Sequence, residues 1–84
     1  MRVTAVESTT LATVAFDEAQ ALLELEFRSQ EVYQYFGVPP AVHEALLASP
    51  SKGGYFNQAI RPWFRYRRVS RSVEQTTVSD GGIR

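Results

Sequence analysis

Three segments in the first half of the chain alternate between apolar and polar residues. Residues 11–16 read LATVAF, residues 22–28 read LLELEFR, and residues 32–36 read VYQYF. A period of two is typical of strands that have one face on a core and the other in water. Short polar connections separate the segments, so we predict three strands joined as an antiparallel meander.

The second of these strands has the most clearly divided faces. Leu23 and Leu25 lie on one face, whereas Glu24 and Glu26 lie on the other. We expect the leucine face to be covered by helices. In the third strand, Tyr33 and Tyr35 share a face, but the opposite face is equally apolar, so alternation leaves open which one is buried.

Prolines delimit the helical part of the chain. Pro40 can occupy the first position of a helix, and Pro50 ends it because the residue before a proline avoids the helical region. Ser51 is a good N-cap for a second helix, which Pro62 ends. We predict helices over residues 41–49 and 52–61, followed by a strand over residues 63–69.

This order of elements predicts the fold class. Strands followed by helices indicate an α+β domain, here a three-stranded antiparallel meander followed by two short helices and a short C-terminal strand. We expect a single domain over residues 1–69, since one typical domain already uses about 100 residues. Residues 70–84 contain few large apolar side chains and are predicted to form a disordered tail.

Composition narrows the chemistry. The sequence has no cysteine, which excludes disulfides, thiolate nucleophiles and cysteine-based zinc sites. It has one histidine, His43, which we expect to be a solvent-facing helix residue and not an acid–base group. We predict no enzyme activity, no cofactor and no metal site. The lack of cysteine suits a reducing cytosol, so we expect a cytoplasmic protein. No apolar run is long enough for a membrane span, so we expect no membrane partner.

The net charge is zero, but the charges are divided along the chain. Residues 1–47 contain seven acidic and two basic residues, whereas residues 48–84 contain seven basic and two acidic ones. This asymmetry indicates a polyanion partner such as nucleic acid. Equally, the basic segment could lie beside the acidic strands, so that the charges cancel. The sequence leaves both alternatives open.

The basic residues concentrate in residues 61–71, which read RPWFRYRRVSR and contain five arginines with no acid. Arginine presents forked donors to phosphate oxygens, and the interleaved aromatic rings could stack on unpaired bases. Packing in the core is the alternative that we favour for the aromatic side chains. For the arginines, pairing with Glu24, Glu26 and Glu31 is equally plausible.

A second candidate site lies at the predicted start of the second helix. Lys52 and Gly53, with Asn57 and Arg61 on the same polar stripe, could bind an anion. The favoured alternative is a capped helix start whose glycines allow close packing. Tyr33 and Tyr35 are a stacking platform if their face is open and core residues if it is covered.

These segments resemble a known family. Tyr33-Gln34-Tyr35, the series SKGGYFN over residues 51–57, and Ile60-Arg61 are similar to motifs of the KTSC domain, a small bacterial module. It is named for its place at the C-terminus of some lysyl-tRNA synthetases and also occurs as a free-standing protein. The resemblance runs from about Thr9 to Val69, and it departs at Gln30, where the family often has glycine. It implies a small domain of unknown biochemical function, for which attachment to a synthetase suggests RNA binding.

We therefore predict a small non-catalytic binding module for RNA, tRNA-like or single-stranded, or for another polyanion. The alternative is a module for protein–protein interaction or homo-oligomerisation. The candidate nucleic-acid or anion-binding residues are Lys52, Gly53, Asn57, Arg61, Arg65, Arg67, Arg68, Tyr33 and Tyr35.

Overall fold

Five strands form one antiparallel sheet in which neighbours in sequence are neighbours in space. The computed structural model describes residues 1–69, so the predicted tail over residues 70–84 lies outside the described residues. The strands are β1 (Arg2–Ala5), β2 (Leu11–Asp17), β3 (Leu22–Phe27), β4 (Val32–Phe36) and β5 (Arg65–Val69).

The α+β fold class is confirmed, and the meander contains one strand more than predicted. β1 pairs with β2 in the register Val3↔Ala15, and β5 pairs with β4 in the register Tyr66↔Tyr35. β1 was missed because it is a short edge strand on which only Thr4 is even partly buried. Its alternation, RVTA, is only four residues long, and its apolar Val3 is exposed, so the pattern does not mark a buried face.

Two helical segments connect β4 to β5. The first is α1 (Pro40–Ala48), with Pro40 in its first turn as predicted. The second begins as α2 (Lys52–Tyr55) and continues as a π-helical segment, Phe56–Ile60. The Arg61 N–H donates to the Phe56 carbonyl at 2.9 Å, which is the i→i+5 bond of a π-helix. The predicted second helix is therefore present, but its second half is wound more widely than an α-helix.

The helical segments cover one side of the sheet, and the core lies between them. Leu23 and Leu25 of β3 are fully buried there, which confirms the predicted core face of that strand. Phe56 is also buried, and its ring packs edge-on against Phe27 and Tyr35, with centroid distances of 5.3 and 5.5 Å. Among the described residues, no helix is long and apolar enough to cross a membrane.

The turn between β3 and β4 holds a residue in the left-handed region. Gln30 has φ 78°, and its N–H donates to the Phe27 carbonyl at 2.8 Å. Left-handed backbone costs a non-glycine residue about 1–2 kcal/mol, whereas glycine adopts it freely. The glycine that the family resemblance implies at this position therefore matches the conformation of this turn.

We predict that Gln30→Gly raises the free energy of unfolding by about 0.5–1 kcal/mol, because the relief of strain exceeds the added entropy of the unfolded chain. Urea denaturation followed by circular dichroism measures this change. Gln58→Gly is the matched control, since Gln58 lies in the π-helical segment without positive φ. The control should destabilise the protein. A loss of stability in Gln30→Gly would contradict the assignment of strain to this turn.

The expectation that His43 faces solvent is wrong. Its side chain is 6% exposed, and the ring stacks on Phe16 with a centroid distance of 4.6 Å and an interplanar angle of 14°. His43 lies three residues before the buried Leu46, so helical spacing places both on the sheet side of α1. Within residues 1–69, the buried Nε2 atom has no hydrogen-bond partner. Burial lowers the pKa of His43, the nearby Arg2 lowers it further, and Glu44 opposes both.

This lowered pKa makes stability depend on pH. The unfolded imidazole titrates near about 6.5 and the folded one below that value, so the unfolded state takes up the proton first as the pH falls. The contribution of His43 is fully present above about pH 6.5 and is lost as the pH falls through the folded pKa. We predict that the free energy of unfolding decreases from pH 7 to pH 5, and that His43→Phe reduces this decrease. Denaturation at both pH values measures it, and equal decreases in the two proteins would contradict a buried neutral histidine.

Candidate nucleic-acid interface

The alternation of β5 divides the basic segment between the two sides of the sheet. Tyr66 pairs with Tyr35, and Arg68 pairs with Tyr33, so both lie on the side that carries the helices. Arg67 pairs with Gln34, and therefore lies with Arg65 on the opposite side, which we call the open face. The predicted arginines thus form two separate surfaces and not one continuous strip.

On the helix side, β4, β5 and the π-helical segment enclose a groove of ≈ 300 Å³, which we call the tyrosine groove. Four of the predicted site residues meet there: Tyr33, Tyr35, Asn57 and Arg61. The lining is completed by Thr10, Phe27, Glu31, Phe56 and Tyr66. Aromatic rings and polar groups therefore converge on one small space.

The three tyrosines of the groove differ in accessibility. Tyr35 is 3% exposed, so its ring is part of the core, as one of the two alternatives held. Tyr66 is 59% exposed, and its ring centroid lies 5.7 Å from that of Tyr33 and 5.6 Å from that of Tyr35. Tyr33 is half-buried. The reachable aromatic surface is therefore supplied by Tyr66 and Tyr33, above a floor that includes Tyr35.

The polar groups of the groove are mainly donors. Burial raises the pKa of Tyr35 to about 12, with smaller contributions from Tyr33 and Tyr66, and Arg61 opposes this shift. The phenol of Tyr35 is consequently protonated at neutral pH. Together with the Arg61 guanidinium and the Asn57 amide, it offers hydrogen bonds to the oxygen acceptors of a ligand.

Carboxylates neutralise part of the basic segment. The Arg68 guanidinium lies 3.3 Å from the Glu31 carboxylate, with both side chains largely exposed to solvent. Arg67 Nη2 donates to Gln34 Oε1 at 3.0 Å, and Gln34 Nε2 donates to Glu24 Oε1 at 2.9 Å. Within residues 1–69, Arg61 and Arg65 have no carboxylate within ion-pair distance. The expected pairing is thus direct for Arg68 and indirect for Arg67.

The start of α2 is arranged as a closely packed, capped helix start. Ser51 Oγ accepts a hydrogen bond from the Gly54 N–H at 3.3 Å, and Lys52 Nζ donates to the Ser49 carbonyl at 2.9 Å. A Cβ atom on Gly53 would lie 2.5 Å from Thr10 Oγ1, so only glycine allows this approach. These contacts supply the structural role that the sequence favoured for this segment.

A second groove of ≈ 680 Å³ continues from this helix start to the tyrosine groove. Lys52, Gly53 and Arg28 line it, and it shares Thr10 and Asn57 with the tyrosine groove. Arg28 is held there by donating to the Ser8 and Val6 carbonyls at 3.0 and 3.2 Å. Lys52 and Arg61 therefore lie along one connected surface. Arg61 and Tyr66 also line a groove of ≈ 460 Å³ with Trp63 and Arg65, so Arg65 adjoins this surface as well, whereas Arg67 does not.

Residues 7–66 match the model of the KTSC domain. The chain belongs to the KTSC domain family. The crystal structure of a KTSC domain protein from Yersinia pestis matches with a TM-score of 0.79 and 32% identity, over 82% of this chain and 97% of that one. The resemblance inferred from the motifs is thereby confirmed.

Similar segments occur both in short proteins and in a much longer one. An uncharacterized protein of Stutzerimonas stutzeri is 41% identical over 70 residues, which are 82% of this chain and 99% of that protein. The lysine–tRNA ligase of Nostoc punctiforme is 38% identical over 64 residues, which are 76% of this chain but 11% of the ligase. The KTSC domain thus accounts for nearly all of one relative and a small part of the other.

The structure gives the motif of this KTSC domain a physical basis. In SKGGYFN, Ser51 caps the helix, Gly53 allows close approach to Thr10, and Phe56 enters the core. Asn57 is exposed and lines both grooves. Core packing, favoured for the aromatic residues of segment 61–71, is wrong for Trp63 and Tyr66, which are 74% and 59% exposed. Glu31 was expected only as a partner of the arginines. Once β5 is known to pair with β4, strand alternation places Tyr66 beside Tyr35.

Proposed function

We propose that this KTSC domain is a non-catalytic module that binds single-stranded or looped RNA in the tyrosine groove. One observation carries the proposal: the exposed ring of Tyr66, the half-buried ring of Tyr33 and the guanidinium of Arg61 line the same groove. Accessible aromatic rings stack on unpaired bases, and arginine binds the adjoining phosphates. Unpaired RNA presents both groups together.

The size and chemistry of the groove suit one base. At ≈ 300 Å³, it lies at the lower end of the range for small-ligand sites. Asn57 offers an amide with both donors and acceptors for the edge of a base, and the protonated phenol of Tyr35 offers a donor. The rings of Tyr33 and Tyr66 supply stacking that does not depend on which base is present.

Cationic side chains on the same side of the sheet are placed to bind the phosphates of the RNA backbone. Arg61 lies in the tyrosine groove, Lys52 lies in the connected groove, and Arg68 lies on the same side of β5. The exposed pair of Arg68 with Glu31 contributes only about 0–1 kcal/mol, so a phosphate can replace the carboxylate. Neutralising about three phosphates of a single strand gives a slope of log affinity against log salt near −2.

A relative adds support from its context. The lysine–tRNA ligase of Nostoc punctiforme, an enzyme whose name includes tRNA, contains a similar segment within a small fraction of its length. A separate module of this size is suited to adding RNA contacts to a larger enzyme. The proposal accordingly includes a cytoplasmic location and an RNA partner for this KTSC domain.

The division of the arginines between two sides allows a charge-matched test. We predict that Arg61→Ala/Arg68→Ala weakens binding of an eight-nucleotide oligouridylate by about tenfold or more, because it removes two of about three phosphate contacts. The salt slope should fall from about −2 to about −0.7. Arg67→Glu, which changes the net charge by the same amount on the open face, should change the affinity less than about twofold. Fluorescence anisotropy with labelled oligonucleotide between 50 and 300 mM salt measures both. Equal losses in the two variants, or no binding by the wild type at 50 mM salt, would refute the proposal.

Glu31 provides a test in the opposite direction. Its carboxylate lines the tyrosine groove and occupies Arg68, so it both repels phosphate and competes with it. We predict that Glu31→Gln tightens RNA binding by about two- to fivefold, the equivalent of an exposed ion pair. Glu26→Gln, on the open face, is the control and should leave the affinity unchanged. Weaker binding by Glu31→Gln would show that phosphate does not approach Arg68.

A further inference from the structure

The open face of the sheet has no covering helix or strand within residues 1–69, since both helical segments pack on the other side. Phe36 is 41% exposed on this face, and its cross-strand partner Leu22 is half-buried, as is Val32 at the other end of β4. The face therefore has apolar side chains at both ends of β4, with Gln34 between them. A partner that covered it would remove aromatic and aliphatic surface from water.

Charged residues lie on both sides of β4 in an ordered way. Glu24 of β3, Gln34 of β4 and Arg67 of β5 form one row across the three strands. Hydrogen bonds of 2.9 and 3.0 Å join the row, as described above. Glu24 thus lies on the strand at one side of β4, and Arg67 lies on the strand at the other side.

A row with this order is complementary to itself. A two-fold rotation about an axis parallel to β4 lays β4 over β4 of the second copy, and lays β3 over β5. Arg67 of each copy then faces Glu24 of the other, and Val32, Gln34 and Phe36 each face the same residue of the second copy. We propose that two copies of this chain associate through their open faces in this arrangement, giving an isologous dimer.

The other face-to-face rotation is disfavoured by charge. An axis in the plane of the sheets but perpendicular to the strands lays β5 over β5 and β3 over β3. With the axis at the level of Gln34, Arg67 would meet Arg67 of the second copy, and Glu24 would meet its glutamate. Like charges placed opposite each other are unfavourable, so charge favours the axis along β4 over this one.

The size of the face predicts a weak dimer. In this arrangement β3, β4 and β5 overlap, whereas β1 and β2 extend beyond the second copy. Three strands spaced by about 4.8 Å, with about five residues each at about 3.3 Å, give a flat area of about 240 Å² per copy. This is about a third of what a standard stable interface buries on each partner. The dimer should therefore form only at concentrations of about 0.1–1 mM and dissociate on dilution. The tyrosine groove lies on the opposite side of the sheet, so the dimer leaves it accessible.

Sedimentation velocity on the full chain between 5 µM and 1 mM tests this proposal. The wild type should pass from monomer to dimer over this range. Glu24→Arg and Arg67→Glu, each alone, should raise the dissociation constant at least tenfold because two like-charged contacts are created per dimer. The double variant Glu24→Arg/Arg67→Glu exchanges acid and base, and should recover dimerisation to within about threefold of the wild type.

Arg68→Glu is the matched control, since it makes the same change on the same strand but on the other side of the sheet. It should not alter the dissociation constant, and circular dichroism verifies that each variant is folded. A wild type that stays monomeric at 1 mM overturns the proposal, as does a folded double variant that fails to recover. Either result leaves the RNA proposal intact, because that proposal depends on the opposite side of the sheet.

Discussion

The packing of Phe56 against Phe27 and Tyr35 fixes the relation between the helical connection and the sheet. Its buried ring contacts both rings edge-on and ties the π-helical segment to β3 and β4. Edge-on aromatic pairs contribute about 0.5–1.5 kcal/mol beyond the area that they bury. Asn57 follows Phe56 directly, and the Arg61 N–H donates to the Phe56 carbonyl in the i→i+5 bond. The packing of Phe56 therefore also positions the polar side of the tyrosine groove.

A second constraint is the small size of the domain. The two helical segments within residues 1–69 cover only one side of a five-stranded sheet. The sheet consequently has a covered side, whose margin forms the tyrosine groove, and an open face that carries Phe36 between an acidic and a basic strand. The alternation of β5 then assigns Arg68 to the first side and Arg67 to the second. Basic residues that are close in sequence are thereby committed to different surfaces.

The sequence predicted those parts of the fold that have a strong local signal. The period of two in LLELEF identified the core face of β3, and the prolines delimited α1. β1 was missed because its burial is slight, and the burial of His43 was missed because it depends on how α1 sits against Phe16. The π-helical winding after Tyr55 likewise has no local signature.

The candidate site was predicted in its members but not in its shape. Tyr33, Tyr35, Asn57 and Arg61 meet in one groove, whereas Arg65 lines an adjoining groove and Arg67 lies on the open face. That separation follows from strand alternation, but it becomes visible only when the pairing of β5 with β4 shows which residues lie beside the tyrosines. Tyr66 and Glu31 belong to the site for the same reason.

The tyrosine groove is the proposed RNA-binding surface of this KTSC domain. Titration of the ¹⁵N-labelled full chain with an eight-nucleotide oligouridylate, followed by amide chemical shifts below the concentration at which copies associate, locates the bound RNA. The largest shift changes should occur at Tyr33, Asn57, Arg61 and Tyr66, while Val3, Glu24 and Gln34 stay unchanged. Changes centred on the open face, or none at saturating RNA and low salt, would contradict this proposal.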